Sequence, residues 1–345
     1  MSTYYGVKGQ KVQGISSDPT NLTTGQIWYN SSTQVIRVRT VLGSNAWATG
    51  NSLNVLRKRN SGAGTITAAV AFGGEGPTNP TPGPSGKLSS TELYNGSGWT
   101  TSAEMAMGRN SLGGAGTQTA ALAFGGQGTD PSPPSITNLT EKFNGSSWTT
   151  NPSNMNAGRW LIKGAGTQTA AIAFGGENVP TPPSSIDFSL SETFNGSSWT
   201  TTPTLNTGKF NHGSAGSSTS ALSFGGSNPD VANANKKTEK WNGSSWSSSG
   251  DMNTGRTDIT GAGATNSEAM AIGGSPRNGL VELFNGSSWT STTTQLTSTQ
   301  GNKGVGTDSS ALIFGGQTPS APGGSGNTQI WLASGGSVST TIPTT

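Results

Sequence analysis

The chain has 345 residues, a net charge of +3, only 10% charged residues, 53 glycines and no cysteine. Without cysteine there are no disulfides and no thiolate metal sites, and no apolar run approaches the ~18 residues of a membrane helix. The polar, low-charge mixture could belong to a disordered chain, but ten tryptophans and ten phenylalanines, recurring at set places, argue for an ordered all-β protein.

From the start of the chain, Met1-Ser2-Thr3-Tyr4-Tyr5-Gly6-Val7-Lys8 lacks the apolar core of a signal peptide. Residues 1–60 carry Lys8, Lys11, Arg37, Arg39, Arg57, Lys58 and Arg59 against Asp18 alone, so the excess of positive charge is concentrated there. No aromatic–basic groove motif accompanies these residues, so they read as a solvated or assembly-contacting segment rather than a nucleic-acid site. Two alternating stretches, Gln26–Asn30 and Gln34–Arg39, flank a Ser-Ser-Thr turn, and Trp47 follows. Together 26–49 reads as three consecutive outer strands of one blade of a larger repeat array.

From about residue 50 one unit repeats six times. Its clearest copy runs from Gly164-Ala165-Gly166-Thr167 through Thr169-Ala170-Ala171-Ile172-Ala173-Phe174 to Gly175-Gly176, and later reaches Asn195-Gly196-Ser197-Ser198-Trp199. The Gly-Gly pairs recur at spacings of 52, 50, 50, 48 and 42 residues, a period typical of propellers and solenoids. Thr-Ala-Ala-Ile-Ala-Phe is apolar on both faces, as a doubly covered inner strand is, with alanines keeping it thin near an axis. Thr140-Glu141-Lys142-Phe143 and Ser147-Trp148-Thr149 alternate and read as half-buried outer strands joined by an Asn144-Gly145 hairpin turn. The Gly-Ala-Gly-Thr segment supplies a fourth strand, and four-stranded meanders repeated radially make a β-propeller.

The last unit has no tryptophan after Trp331, whereas Trp47 stands 15 residues before Gly62, as Trp99 stands 15 before Gly114. The favoured reading is seven blades, the seventh a composite of the N-terminal strands and Ser337–Thr341. The alternative is six, with the Trp47 strand completing blade six. On the first reading residues 1–24 form an N-terminal extension and 25–345 the propeller, with 25–49 as closing strands and 50–345 as the six repeats.

The repeated tryptophans are expected to wedge between blades rather than stack a ligand. Arg57, Arg109, Arg159 and Arg256, with Lys209 in the same place, are expected to clamp one blade to the next through carbonyls or a neighbouring strand rather than form an anion site. His212 is the only histidine. With no histidine cluster or paired-carboxylate motif, no catalytic, metal or cofactor residue is assigned. Asn-Gly-Ser-Ser-Trp resembles the sialidase Asp-box, but Phe143, Phe194 or Trp241 replaces its aspartate, so a propeller glycosidase is a remote alternative. Variation concentrates in the loops 75–90, 127–139, 177–190, 227–237, 275–280 and 317–327, all expected on one face. Their candidate partner-binding residues are Asn79, Thr81, Asp130, Ser132, Asp187, Phe188, Asn228 and Asp230.

The strand ending in Gly-Gly, the aromatic two strands on and the spaced tryptophan resemble kelch repeats over residues 44–316. Ser17-Asp18-Pro19-Thr20-Asn21 followed by Gly25-Gln26-Ile27-Trp28-Tyr29-Asn30 resembles a hairpin of tailed-bacteriophage structural and fibre proteins. The two features together are similar to kelch-like virion proteins of marine phages. This resemblance implies a virion component, on head, tail or fibre, made in a bacterial cytoplasm and not inserted in a membrane. Its partners would be other virion proteins in multiple copies, with Lys8, Lys11, Arg37 and Arg39 mounting it. The loop face would then meet a host glycan or protein, and a glycan-binding receptor module is the alternative function.

Overall fold

The computed structural model describes residues 13–15, 27–32, 35–41, 45–77, 86–129, 135–178, 187–333 and 337–342. The chain divides into two compact units, Trp47–Trp331 and a second made of Met1–Ala46 with Leu332–Thr345. The larger unit is a β-propeller of six four-stranded blades.

Blade three shows how the repeat folds. Lys163–Gly166 pairs antiparallel with Ala171–Phe174, which pairs with Ser191–Phe194 and that in turn with Trp199–Thr202. Gly166 (φ 114°) and Gly196 (φ 93°) supply the left-handed turns that L side chains resist. Asn195 Oδ1 accepts the N–H groups of Ser197 and Ser198, at 2.9 Å each, and so pins the outer hairpin. The Ala-Ile-Ala-Phe strand is buried throughout its length. It lies second from the axis; the Gly-Ala-Gly segment, not the alanine-rich one, lines the centre.

The seven-blade expectation is corrected to six. The innermost strand of blade six, Lys303–Gly306, packs directly against that of blade one, Ser61–Gly64, so the ring is already closed. Blade six takes its outer strand from Ala46–Thr49, which borders Thr328–Leu332. The buried Trp47 ring lies 5.4 Å from that of Trp331, supplying the tryptophan that the end of the chain lacks. Residues 26–49 are therefore not three strands of one blade. Ile27–Asn30 and Val35–Val41 form a separate sheet with Ser337–Ile342 on one side and Gln13–Ile15 on the other.

Each seam between blades follows one design. Trp199 of blade three stacks on Phe194 of its own blade, at 5.0 Å, and meets Phe124 of blade two edge-on, also at 5.0 Å. Its indole N–H donates to Thr140 Oγ1 of blade two at 2.9 Å. Trp99, Trp148, Trp246 and Trp289 reach back to Thr328, Thr91, Ser191 and Thr238 in the same way. Trp47 donates instead to the Thr293 carbonyl of blade five. The wedge role is thus realised at every seam.

Trp199→Ala is expected to destabilise the ring by about 3–5 kcal/mol in denaturant unfolding, as large buried aromatics do. Thr140→Val, which leaves the indole N–H unsatisfied but preserves shape, should remove only about 1–3 kcal/mol. Equal losses would show that the hydrogen bond, not the packing, holds the seam.

Candidate functional site

Strand direction sorts the connections onto two faces. The tight turns, such as Thr65–Ala68 and Asn95–Gly98, lie at one end of the blades. The long second-to-third-strand loops and the segments that lead from one blade to the next share the other end, where Met105 N bonds Ser89 O and Arg109 N bonds Leu88 O. This loop face is the candidate site.

A buried ion pair fixes the face to the blades. Arg159 donates from Nη1 to the carbonyls of Gly175 (3.0 Å) and Leu190 (2.6 Å), and from Nη2 to Glu192 Oε1 at 3.0 Å. The other Glu192 oxygen accepts the Asn156 N–H at 2.7 Å, so the entering connection is tied down as well. Arg57–Glu92, Arg109–Glu141 and Arg256–Glu282 repeat the pair at 2.8, 2.5 and 2.9 Å, and Lys209–Glu239 repeats it at 3.6 Å. The arginines therefore clamp carbonyls, but within the blade they lead into. Burial pulls each guanidinium below its ordinary pKa while its glutamate opposes the shift. Burial likewise lowers Lys209 to about 8.

Blade six replaces the pair as a unit. Thr299 stands for the arginine and Gln329 for the glutamate, and Gln329 bonds both the N–H (3.1 Å) and the carbonyl (2.8 Å) of Thr297. Gln295, where other blades have methionine or leucine, bonds Thr299 Oγ1 at 2.9 Å and its N–H at 3.1 Å. The glutamates were not singled out from the sequence, because Thr-Glu-x-Phe reads as an alternating outer strand. In the structure Thr140, Glu141 and Phe143 are all buried. The recurrence of Glu with Arg in four repeats and with Lys in a fifth, and the absence of both charges from the sixth, is the signal that reveals the pair.

Of the candidate partner-binding residues, Asn79, Thr81, Asp130 and Ser132 lie outside the described residues, as do Lys8 and Lys11. Arg37 and Arg39 stand on Val35–Val41, in register with Thr341 and Ser339. Asp187 turns inward, accepting the N–H and hydroxyl of Ser189 at 2.7 Å each. Phe188 stacks on Phe210 at 5.1 Å. Asn228 donates to the Gly208 carbonyl at 2.7 Å, and Asp230 is exposed. Blades three and four thus grip one connection, Gly208–Phe210, from both sides. Lys87 reaches the Gly128 carbonyl of the next loop at 2.6 Å, and Arg277 reaches that of Thr318 at 2.9 Å. The loops are cross-braced.

At the inner rim of this face each blade enters through one left-handed residue: Arg59, Ser111, Leu161, Asn211, Asp258 or Gly301, with φ between 50° and 62°. Leucine and arginine resist that conformation. Backbone bonds from Ser111 to Arg59, Arg59 to Gly301 and Gly301 to Asp258, at 2.7–2.9 Å, hold part of this rim together around the axis. His212 follows the rim residue of blade four, where blades two, three and five have Leu112, Ile162 and Ile259. It is fully buried, at a position where blades one and six have the polar Asn60 and Asn302. Its ring lies 5.5 Å from Phe174, and burial with nearby Lys163, Lys209 and Arg159 holds it neutral, well below its usual pKa. Among the described residues no group of three or more histidine or carboxylate side chains could hold a metal ion. Compared with protein-family models and with curated proteins, the chain matches none.

Arg159→Thr is expected to destabilise the ring by about 3–5 kcal/mol, because it strands a buried carboxylate. Adding Glu192→Gln and Met155→Gln, which recreates the set found in blade six, should restore more than half of that loss in the same denaturation assay. A triple variant no better than the single one would mean that the charges themselves, not their matching, carry the stability.

Lys209 gives a pH test. Its folded pKa of about 8 lies below the unfolded value, so the unfolded chain binds the extra proton between about pH 8 and pH 10.5. The penalty for burying the charge is full below that window and is relieved as pH rises through it. The stability of the natural chain relative to Lys209→Arg, whose guanidinium stays charged, should therefore increase across the window. A difference that is flat with pH would show Lys209 to be as well solvated folded as unfolded.

Proposed function

We propose that this chain is a kelch-like, non-enzymatic structural component of a tailed-phage particle, mounted through its N-terminal region and presenting the loop face to the host surface. The observation that carries the reading is the division of labour between the faces. One end of the blades keeps short, near-identical turns, while the other bears all the long, dissimilar loops on a cross-braced frame. A rigid frame under variable loops suits recognition, since little ordering entropy is lost on contact. The Gln26–Asn30 hairpin, with its likeness to phage fibre proteins, supplies the particle context. Mounting falls to the unit in which both chain ends meet in one sheet, with Arg37 and Arg39 on its third strand.

Mass spectrometry of purified particles from a phage encoding the chain should detect it in many copies per virion. Exchanging 75–90 and 177–190 for short Asn-Gly turns should leave incorporation intact and alter adsorption to host cells. Absence from particles removes the reading altogether. Normal adsorption by fully assembled variants removes the adhesive role, and failed incorporation reverses the mounting.

A further inference from the structure

The six innermost strands enclose a narrow axial channel of about 110 Å³, walled by their Gly-Ala-Gly segments. Each of these strands pairs with its own blade on one side only. A few bonds, such as Gly216 N–H to Gly263 O and Gly263 N–H to Gly306 O, link neighbouring inner strands, and much of the remaining inner edge is left without a strand partner. A wall this bare needs no charge for packing. Yet two lysines are set into it. Lys163 and Lys303 each open an innermost strand, in register with Phe174 and Phe314. The other four blades place Ser61, Gly113, Gly213 and Thr260 there. Blades three and six are diametrically opposed in a six-blade ring, so the two lysines approach the axis from opposite sides. Lys303 lines the channel, and Lys163 lines a smaller cavity under the rim with Arg59 and Asp258.

Among the described residues neither ammonium group makes a hydrogen bond or an ion pair. Both lysines are half-buried, and two like charges placed near one axis destabilise a fold unless something neutralises them. Blades two and four show that glycine serves the packing equally well. The geometry points to a binding site for one small tetrahedral oxyanion, of the size of sulfate or phosphate, bridged on the propeller axis by Lys163 and Lys303.

Other groups fit this assignment. Arg59 adds a third cation at the rim, and Asn60 Nδ2 and Ser111 Oγ, on residues lining the smaller cavity, have no protein partner. Burial, with repulsion from Lys163, lowers Lys303 to about 7. Burial lowers Lys163 too, against the opposing pull of Asp258. A bound anion would reverse both shifts and tie opposite blades together. His212 beside Lys163 stays neutral, with Lys209 and Arg159 behind it paired to glutamates, so neither competes for the ion.

Calorimetric titration of the full chain with sulfate, at ionic strength held constant with chloride, should reveal one site per chain. Lys163→Met and Lys303→Met should each weaken it roughly tenfold to a hundredfold, the worth of one charge-assisted bond. Lys236→Met, on the loop face, should leave it unchanged. Phosphate should compete for the same site. Affinity for sulfate, whose own charge is constant, should fall as pH rises from about 6 to about 9, because only the ammonium form binds. Undiminished affinity in the Lys163→Met, Lys303→Met double variant would reveal an adventitious surface ion only and overturn the proposal. Should a methionine variant not fold, crystals of the unaltered chain in selenate decide the matter. Anomalous scattering should place selenium on the axis between the two ammonium groups, and a map with selenium elsewhere or nowhere overturns the site.

Discussion

The ring rests on its seams, at four of which a phenylalanine of one blade, a glycine of the next and that next blade's tryptophan meet. Ser214 replaces the glycine between blades three and four, and Ile272 the phenylalanine between five and six. Phe314 of blade six lies 4.9 Å from Trp99 of blade one, while a Cβ on Gly62 would come within 2.6 Å of the same phenyl ring. The glycine is thus what lets the aromatic slide beneath the neighbouring inner strand, and the tryptophan closes over it from outside. Aromatic pairs of this geometry contribute about 0.5–1.5 kcal/mol beyond their burial. Because each blade is half of two seams, no blade can bury its own aromatics alone, and the array gains stability only as a closed body.

The buried cation–glutamate pairs do something different. Removing both charged groups from water consumes most of what their attraction returns, so such pairs are weak sources of stability but strict specifiers of geometry. Here they fix where the connection into each blade lies, since every glutamate also accepts backbone N–H groups from that connection. Blade six is an internal control. Its neutral Thr299–Gln329 set keeps the carboxamide bonded to the same connection, so the position, rather than the charge, is what the fold requires.

The repeat period, the Gly-Gly turns, the Asn-Gly hairpins and the wedge role of the tryptophans were legible because each is a local pattern with a local physical cause. The blade count was not. Trp47 at its 15-residue distance from Gly62 fits an outer strand of either a sixth or a seventh blade, and only the pairing of Ala46–Thr49 beside Thr328–Leu332 decides between them. The glutamates escaped for a related reason. A carboxylate in an alternating strand looks solvated until its partner, 26 to 35 residues away in the chain, is placed beside it. The burial of His212 was not legible because the equivalent position is aliphatic in three blades (Leu112, Ile162, Ile259) and polar in two (Asn60, Asn302), so the repeat sets no single expectation there.

A symmetric ring makes its exceptions informative. Whatever recurs in every blade answers to closure and packing, so a residue that breaks the pattern without improving the packing needs another cause. The Thr299–Gln329 exchange is self-consistent and needs none, and His212 fills the volume of an aliphatic side chain. The loops break the pattern on one face only, where the frame beneath them stays constant. Lys163 and Lys303 break it at the centre, at one register, in opposed blades and against the electrostatic preference of the fold. In a chain with so few charges, two cations facing each other across a glycine-walled axis are the departure that packing explains least.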